Sequence, residues 1–148
     1  MSSTPSHHST WTKCGYIAAP LPTVWQLLKE IDAWPKWNGD VVAVAIDQPV
    51  AARSLFSVTS STGSWRGRIL AVIDNEQLFW GNVTDEGARW LQNWELNETM
   101  TGTQITVITT VLGQSPPSCC QLSGNLQRTS LRWLEQLKIA AERSTLNR

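Results

Sequence analysis

The hydrophobic pattern of the chain is clearest in residues 117–143. Apolar residues recur there at spacings of three, four and seven, which is typical of one broad face of an amphipathic helix. Pro116 and Pro117 end the preceding segment, and Ser118 followed by Gln121 fits a capping box at the helix start. A helix with so wide an apolar face needs a large apolar partner. The residues of this face are Leu122, Leu126, Trp133, Leu134, Leu137, Ala140 and Ala141.

Six strand-like runs precede that helix and supply the partner. They are rich in β-branched and aromatic residues, and turn residues such as Gly, Pro, Asp and Asn separate them. Because the turns between them are short, consecutive strands are expected to be antiparallel neighbours. The predicted strands are residues 41–46, 55–60, 65–73, 77–84, 88–96 and 103–112.

The first part of the chain adds one more strand and two short helices. Residues 10–18 predict the strand, and Pro20 and Pro22 suit a helix start after it. A second helical turn begins at Asp32, a capping residue type. The predicted fold class is therefore α+β, with a seven-stranded antiparallel sheet curved around the long C-terminal helix. Two short helices after the first strand close one end, and an internal cavity lies between helix and sheet.

Length and composition fit one globular domain. With 148 residues, 41% of them hydrophobic and 16% charged, the sequence predicts a single domain over residues 10–148 after a disordered tail over residues 1–9. A formal net charge of zero argues against nucleic acid as a partner. The apolar runs are too short to span a bilayer, and no signal peptide is evident. We expect a cytoplasmic monomer or homodimer without a membrane span.

The cysteines and histidines do not form the pattern of a metal site. Cys14, Cys119 and Cys120 lack the spacing of a disulfide framework, so we interpret them as free thiols in a reducing compartment. Zinc sites need several Cys or His residues at set spacings, whereas the only histidines, His7 and His8, lie in the predicted tail. We therefore expect neither a metal nor another cofactor.

Tryptophan is unusually abundant, with nine residues against one Tyr and two Phe. The tryptophans either fill the core as bulky side chains or form the flat walls of a cavity. Alternation along the predicted strands gives the faces that point inward, and the long helix meets them from the other side. The candidate substrate-binding residues are Trp37, Trp65, Trp80, Trp90, Trp94, Thr109, Trp133 and Leu137.

Polar residues near these faces are the catalytic candidates. Asn82 and Gln92 on inward faces either bond to the protein itself or orient a ligand carbonyl or hydroxyl. Arg66 shares a strand face with Arg68 and either faces water or grips a carboxylate or enolate at the cavity mouth. The candidate catalytic residues are Gln92, Asn82 and Arg66.

The predicted folded region lacks an evident nucleophile or histidine base. Asp32 and Asp40, near the short helices, are either carboxylates at the cavity mouth or capping and turn residues. An enzyme built from this sequence would work mainly by holding a reactive substrate in a productive shape, helped by hydrogen-bond donors. A non-catalytic carrier of an apolar ligand, and an interaction module with a fully packed core, are the competing classes.

Short motifs lie in a defined order between residues 10 and 143. They are Ile17-Ala18-Ala19-Pro20 with Val24-Trp25 and Trp34-Pro35-Lys36-Trp37-Asn38, then Leu78-Phe79-Trp80-Gly81, then Trp94-Glu95-Leu96 with Gly102-Thr103-Gln104-Ile105-Thr106, then Trp133-Leu134 with Leu137-Lys138. Their order and spacing resemble the START-like or Bet v 1-like (SRPBCC) superfamily, in particular its polyketide cyclase/dehydrase branch. One departure is visible, because the family usually has a glycine where this chain has Ala52-Arg53-Ser54.

The resemblance implies a helix-grip fold with a deep pocket for an apolar small molecule. Members bind lipids, hormones and polyketides, and some catalyse cyclisation, dehydration or condensation, so the fold alone does not fix the activity. We expect this chain to bind a polyketide, isoprenoid or aromatic molecule. We further expect a cofactor-independent cyclisation or a related lyase or isomerase step, achieved by positioning. The alternative is a carrier that binds the same kind of ligand without chemistry.

Overall fold

A computed structural model of the chain describes residues 9–46, 49–112 and 116–146, with side chains in the last range described from Gly124 onward. Seven strands form one open antiparallel sheet in the order β1-β7-β6-β5-β4-β3-β2. The strands are β1 Ser9–Ile17, β2 Val41–Ile46, β3 Leu55–Ser60, β4 Gly63–Ile73, β5 Gln77–Asn82, β6 Trp90–Glu98 and β7 Thr103–Val111. The helices are α1 Leu21–Lys29, a 3₁₀ helix Ile31–Lys36 and α2 Pro116–Leu146. The predicted α+β helix-grip architecture is confirmed.

The observed element boundaries follow the predicted ones closely. β2 and β3 coincide with the prediction, and α2 extends beyond it at both ends. β5 stops at Asn82, earlier than predicted, because the Oδ1 atom of Asn82 accepts the backbone N–H groups of Arg89 and Trp90, each at 2.8 Å. The predicted tail up to His8, the capping box and the side chains of Cys119 and Cys120 lie outside the described residues.

α1 and the 3₁₀ helix follow β1, and the 3₁₀ helix contacts β2 at the sheet edge. Pro20 is extended and precedes α1, and Pro22 lies in the first helical turn, where a missing N–H group is tolerated. The indole Nε1 of Trp34 donates to the carbonyl oxygen of Leu28 at 2.9 Å. This bond ties the buried face of the 3₁₀ helix to that of α1.

α2 packs against α1, β1 and β7. Near its end, Glu142 accepts the backbone N–H of Ala18 at 2.9 Å and pairs with Lys138 at 2.6 Å. The bond from the Lys138 ammonium, followed by that from the Ala18 N–H, holds the pKa of the Glu142 carboxyl below its usual value of 4.5. Because the folded-state pKa is lowered, this contact stabilises the fold fully above pH 4.5 and weakens as the pH falls through the lowered value.

An aromatic cluster fills much of the space under α2. Trp34, Trp80 and Trp94 are fully buried, and Phe56 is 3% exposed. The ring centroid of Trp34 lies 5.5 Å from that of Trp80 and 5.1 Å from that of Trp133. Trp80 and Trp94 stack at 6.1 Å with their planes 20° apart. Trp80 and Trp94 therefore fill the core, which is one of the two roles that the sequence allowed for the tryptophans.

The turn before β3 contains a strained backbone at the place where the superfamily usually has glycine. Arg53 has a φ of 77°, in the left-handed region that a side chain with a Cβ atom disfavours. Its N–H group donates to the carbonyl oxygen of Ile69 at 2.7 Å, which fixes the turn against β4. Arg53 thus holds a left-handed backbone conformation although it carries a Cβ atom.

Arg53→Gly should stabilise the protein by about 0.5–1 kcal/mol. A left-handed residue with a Cβ atom costs about 1–2 kcal/mol, whereas glycine costs about 0.5–1 kcal/mol more chain entropy on folding. Urea unfolding of the two proteins measures the difference. Arg53→Ala keeps the Cβ atom and is the control. An equal gain in both variants would assign the effect to loss of the guanidinium instead of the backbone.

Candidate ligand-binding site

A cavity of about 390 Å³ opens between the β3–β4 hairpin, the start of β6 and the middle of α2. This volume lies within the range of about 300–1,000 Å³ that is typical of small-molecule pockets. The lining residues are Asp40, Val58, Ser60, Ser61, Thr62, Trp65, Trp90, Gln92, Asn125, Leu126, Thr129, Ser130, Arg132 and Trp133.

Three tryptophans form the flat walls of this cavity. Trp65 on β4 and Trp90 on β6 meet edge to face, with ring centroids 5.0 Å apart and planes at 67°. Trp133 on α2 closes the opposite side and also contacts Trp34 of the aromatic cluster. Leu126 adds aliphatic surface from the same helix. The walls therefore suit a planar or polyene ligand, which can stack on or abut these rings.

A buried hydrogen-bond network lies on one side of the cavity. Gln92 of β6 is only 5% exposed. Its Oε1 atom accepts the indole N–H of Trp94 at 2.9 Å, and its Nε2 atom donates to the hydroxyl oxygens of Thr109 at 3.2 Å and Ser130 at 2.6 Å. The network joins β6, β7 and α2 and presents Gln92 and Ser130 to the cavity.

The cavity mouth carries one ion pair. Arg132 Nε lies 2.9 Å from Asp40 Oδ2, and the two side chains are 57% and 32% exposed. The backbone N–H of Asp40 donates to Oδ1 of Asn38 at 3.0 Å, so Asp40 is both a turn residue and a mouth carboxylate. A pair this exposed adds only about 0–1 kcal/mol to stability. Charges at the rim of a site mainly affect the rate at which a charged molecule associates with it.

Four of the sequence-predicted site residues line the cavity, namely Gln92, Trp65, Trp90 and Trp133. Trp80, Trp94 and Leu137 are fully buried in the core and do not line it, and Thr109 lies behind Gln92. Trp37 is half-buried, and its Nε1 atom donates to the carbonyl oxygen of Leu27 at 3.3 Å. The predicted aromatic set is thus divided between a filled interior and a smaller open site.

The structure does not bring Asn82 and Arg66 to the cavity. Asn82 lies opposite Gly67 and Gln92 lies opposite Trp80, so the two amides are not cross-strand partners. The side chain of Asn82 instead satisfies backbone N–H groups of the β5–β6 connection. Arg66 lies with Arg68 on the exposed face of β4. The geometry offers no direct contact between either residue and a ligand in this cavity.

Sequence reasoning missed the polar residues that α2 contributes. Ser130 follows Leu126 by four positions and precedes Trp133 by three, so it lies on the apolar face of the helix. A small polar residue on the apolar face of a helix indicates a buried hydrogen-bonding group. The hairpin residues Ser60, Ser61 and Thr62 offered no such signal, because exposed hydroxyls are common in turns.

Metal-ligating side chains do not cluster in the part of the chain that the structure describes. No three His, Cys, Asp or Glu residues come together among residues 9–46, 49–112 and 124–146. Cys14 is exposed on β1, with its Sγ atom 3.7 Å from Oγ1 of Thr106. None of the described helices is both long enough and apolar enough to cross a membrane.

Comparison with solved structures identifies the fold. No family model and no curated protein sequence matches the chain. The ZhuI aromatase/cyclase from Streptomyces sp. R1128 matches with a TM-score of 0.80 at 14% identity, over 94% of this chain and 96% of that one. Norcoclaurine synthase from Thalictrum flavum, solved as a point mutant with a transition-state analogue, matches with a TM-score of 0.76 at 9% identity, over 97% and 99%.

A di-domain aromatase/cyclase, StfQ from the steffimycin biosynthetic pathway, also matches, with a TM-score of 0.76 at 16% identity. The match covers 93% of this chain and 52% of StfQ, so the chain spans about half of that protein. At such identities these likenesses concern the fold. The chain has the helix-grip fold that these structures share, as its motifs predicted.

Proposed function

We propose that the protein binds a hydrophobic polyketide, isoprenoid or aromatic molecule in the cavity and catalyses its cyclisation or a related lyase or isomerase step. The observation that carries this proposal is a cavity with three tryptophan walls and a buried amide–hydroxyl network on one side. Flat walls hold an unsaturated chain in a folded shape, and a few fixed polar groups orient it. The cavity volume fits a small molecule of two or three rings.

The chemistry available to such a site is positioning. The ionisable residues that line the cavity, Asp40 and Arg132, are paired with each other at the mouth. The inner wall offers indole rings, an amide and hydroxyls, which can bind and orient a substrate that is already reactive. The aromatase/cyclases and the norcoclaurine synthase among the similar structures support this class of activity.

One observation favours a carrier as the second candidate. The Gln92 amide already bonds to Trp94, Thr109 and Ser130, so its polar atoms are held by the protein itself. A site whose amide is so fully engaged can shield a ligand without changing it. Measuring product formation separately from binding distinguishes the enzyme from the carrier.

Filling the cavity should weaken ligand binding by at least about tenfold. Thr129→Phe places a ring into the space beside Trp133, whereas Arg128→Phe adds the same ring at the neighbouring exposed position. Polycyclic aromatic and polyene compounds are titrated while intrinsic tryptophan fluorescence is recorded. We expect the unmodified protein and Arg128→Phe to respond strongly, and Thr129→Phe to bind at least about tenfold more weakly, because a loss of about 1.4 kcal/mol is tenfold in affinity.

Two outcomes would contradict the proposal. If no compound of the panel changes the fluorescence of the unmodified protein, the cavity does not take ligands of this class. If Thr129→Phe and Arg128→Phe bind equally well, the fluorescence response comes from another site. Circular dichroism of both variants checks that each retains the fold, so that a loss of binding reports on the cavity.

A further inference from the structure

The direction of the hydrogen bonds around Gln92 is fixed by Trp94. An indole Nε1–H group can only donate, so the atom of Gln92 that faces it must be the carbonyl oxygen. The opposite orientation of the amide would place two donors 2.9 Å apart. The Nε2 atom of Gln92 therefore points to Thr109 and Ser130, and the hydroxyl oxygens of both residues act as acceptors.

This direction leaves the hydroxyl hydrogen of Ser130 uncommitted. A serine hydroxyl carries one hydrogen and two lone pairs, and one lone pair accepts from Gln92. Among the described residues, the Ser130 hydroxyl donates to no protein acceptor. The side chain is 4% exposed and lines the cavity, where a donor without an acceptor is costly. A ligand atom that accepts this hydrogen removes that cost.

We propose that Ser130 hydrogen-bonds the ligand, and that it selects ligands with a carbonyl-type oxygen facing α2. The inference rests on the proposed function and makes its substrate class more specific. Gln92 is then a positioning residue that acts through Ser130, instead of touching the ligand oxygen itself. No proton is transferred, because the hydroxyl only donates a hydrogen bond.

Such a bond contributes to the proposed reaction as well as to binding. When a ring-closing step passes through an enolate, or through attack on a carbonyl carbon, negative charge develops on the carbonyl oxygen. A fixed donor in a site that excludes water stabilises that charge more than the neutral ground state. The bond from Gln92 Nε2 to the Ser130 oxygen polarises the hydroxyl and strengthens it as a donor.

Two probes of nearly equal shape test the proposal. 2-Acetylnaphthalene carries a ketone oxygen, and 2-isopropenylnaphthalene carries a methylene group in its place. We expect the unmodified protein to bind the ketone up to about tenfold more tightly, because a neutral hydrogen bond contributes about 0.5–1.5 kcal/mol. The infrared carbonyl stretch of the bound ketone should shift to lower frequency than in an apolar solvent.

Two variants then identify the donor. Ser130→Ala removes the hydroxyl, and we expect it to abolish the preference for the ketone and the infrared shift while the affinity for the hydrocarbon stays the same. Gln92→Glu keeps the side-chain shape but replaces the donating amide nitrogen with an acceptor oxygen. The Ser130 hydroxyl should then donate to the introduced carboxylate, so the ketone preference should fall although Ser130 is present. Ser130→Thr keeps the hydroxyl and should retain the preference.

The possible failures point to different conclusions. Equal binding of ketone and hydrocarbon by the unmodified protein overturns the role of Ser130 and leaves the apolar cavity function standing. A ketone preference that survives Ser130→Ala overturns it as well. If neither probe binds, the proposed function fails for ligands of this size, and the role of Ser130 fails with it.

Discussion

Leu137→Asp should leave the protein largely unfolded. Leu137 is fully buried where α2 meets the core and belongs to the cluster of buried apolar residues. Burying an unpaired carboxylate costs several kcal/mol, whereas the whole fold of a typical domain is stable by only about 5–15 kcal/mol. Far-ultraviolet circular dichroism and a thermal melt of the purified variant measure the effect.

Ile139→Asp is the matched control, because it introduces the same charge two positions away on the same helix. Ile139 is 39% exposed, so its carboxylate stays in water and the melting temperature should change little. If Leu137→Asp melts at the temperature of the unmodified protein, α2 does not dock on the sheet as described. Equal destabilisation by both variants would instead point to a general effect of negative charge on α2.

The fold was predictable because its determinants are local. The spacing of Leu126, Trp133 and Leu137 defines a helix face whatever it packs on, and a strand such as Val41–Ile46 is recognisable between turn residues. Short turns leave little choice of strand order within a meander. The sequence predicted that β1 adds to the sheet, but its long-range pairing with β7 is given only by the structure.

The site was less predictable because alternation gives only the face of a strand, not the depth of each residue below it. Trp80 and Trp90 occupy inward faces of adjacent strands, yet Trp80 is enclosed by other rings and Trp90 borders the cavity. What separates them is the position of Trp34, which the 3₁₀ helix inserts against Trp80. That insertion is a tertiary contact with no periodicity in the sequence.

The hydrogen-bond partners of the amides Asn82 and Gln92 could not be predicted from the sequence either. The sequence placed Asn82 and Gln92 on inward faces and left open whether each bonds to the protein itself or orients a ligand group. In the structure, Asn82 accepts the backbone N–H groups of Arg89 and Trp90, and Gln92 is held beside the cavity by Trp94 and Ser130. Where the partners of a buried amide come from distant segments, the sequence gives its burial but not its partner.

Gln92 lines the cavity and Asn82 does not, so replacing Gln92 should have a large effect on turnover. Gln92→Leu should lower turnover on the order of 10²-fold for a cyclised substrate, since it removes the donor that positions and polarises Ser130. The affinity for that substrate should fall by about tenfold or less, because binding loses only part of an ordinary neutral hydrogen bond. Both constants are measured on the same preparation, with product formation followed by chromatography.

Asn82→Leu is the control that separates this catalytic effect from instability. Gln92 is buried and Asn82 is half-buried, and each substitution leaves protein N–H groups without their acceptor: those of Arg89 and Trp90 for Asn82, and that of Trp94 for Gln92. A buried N–H group that loses its acceptor costs about 1–3 kcal/mol, so the melting temperatures should fall in both variants. Turnover per folded molecule should stay unchanged in Asn82→Leu. Equal losses of binding and turnover in Gln92→Leu would indicate a carrier, because an interaction that acts only in the ground state cannot accelerate a reaction.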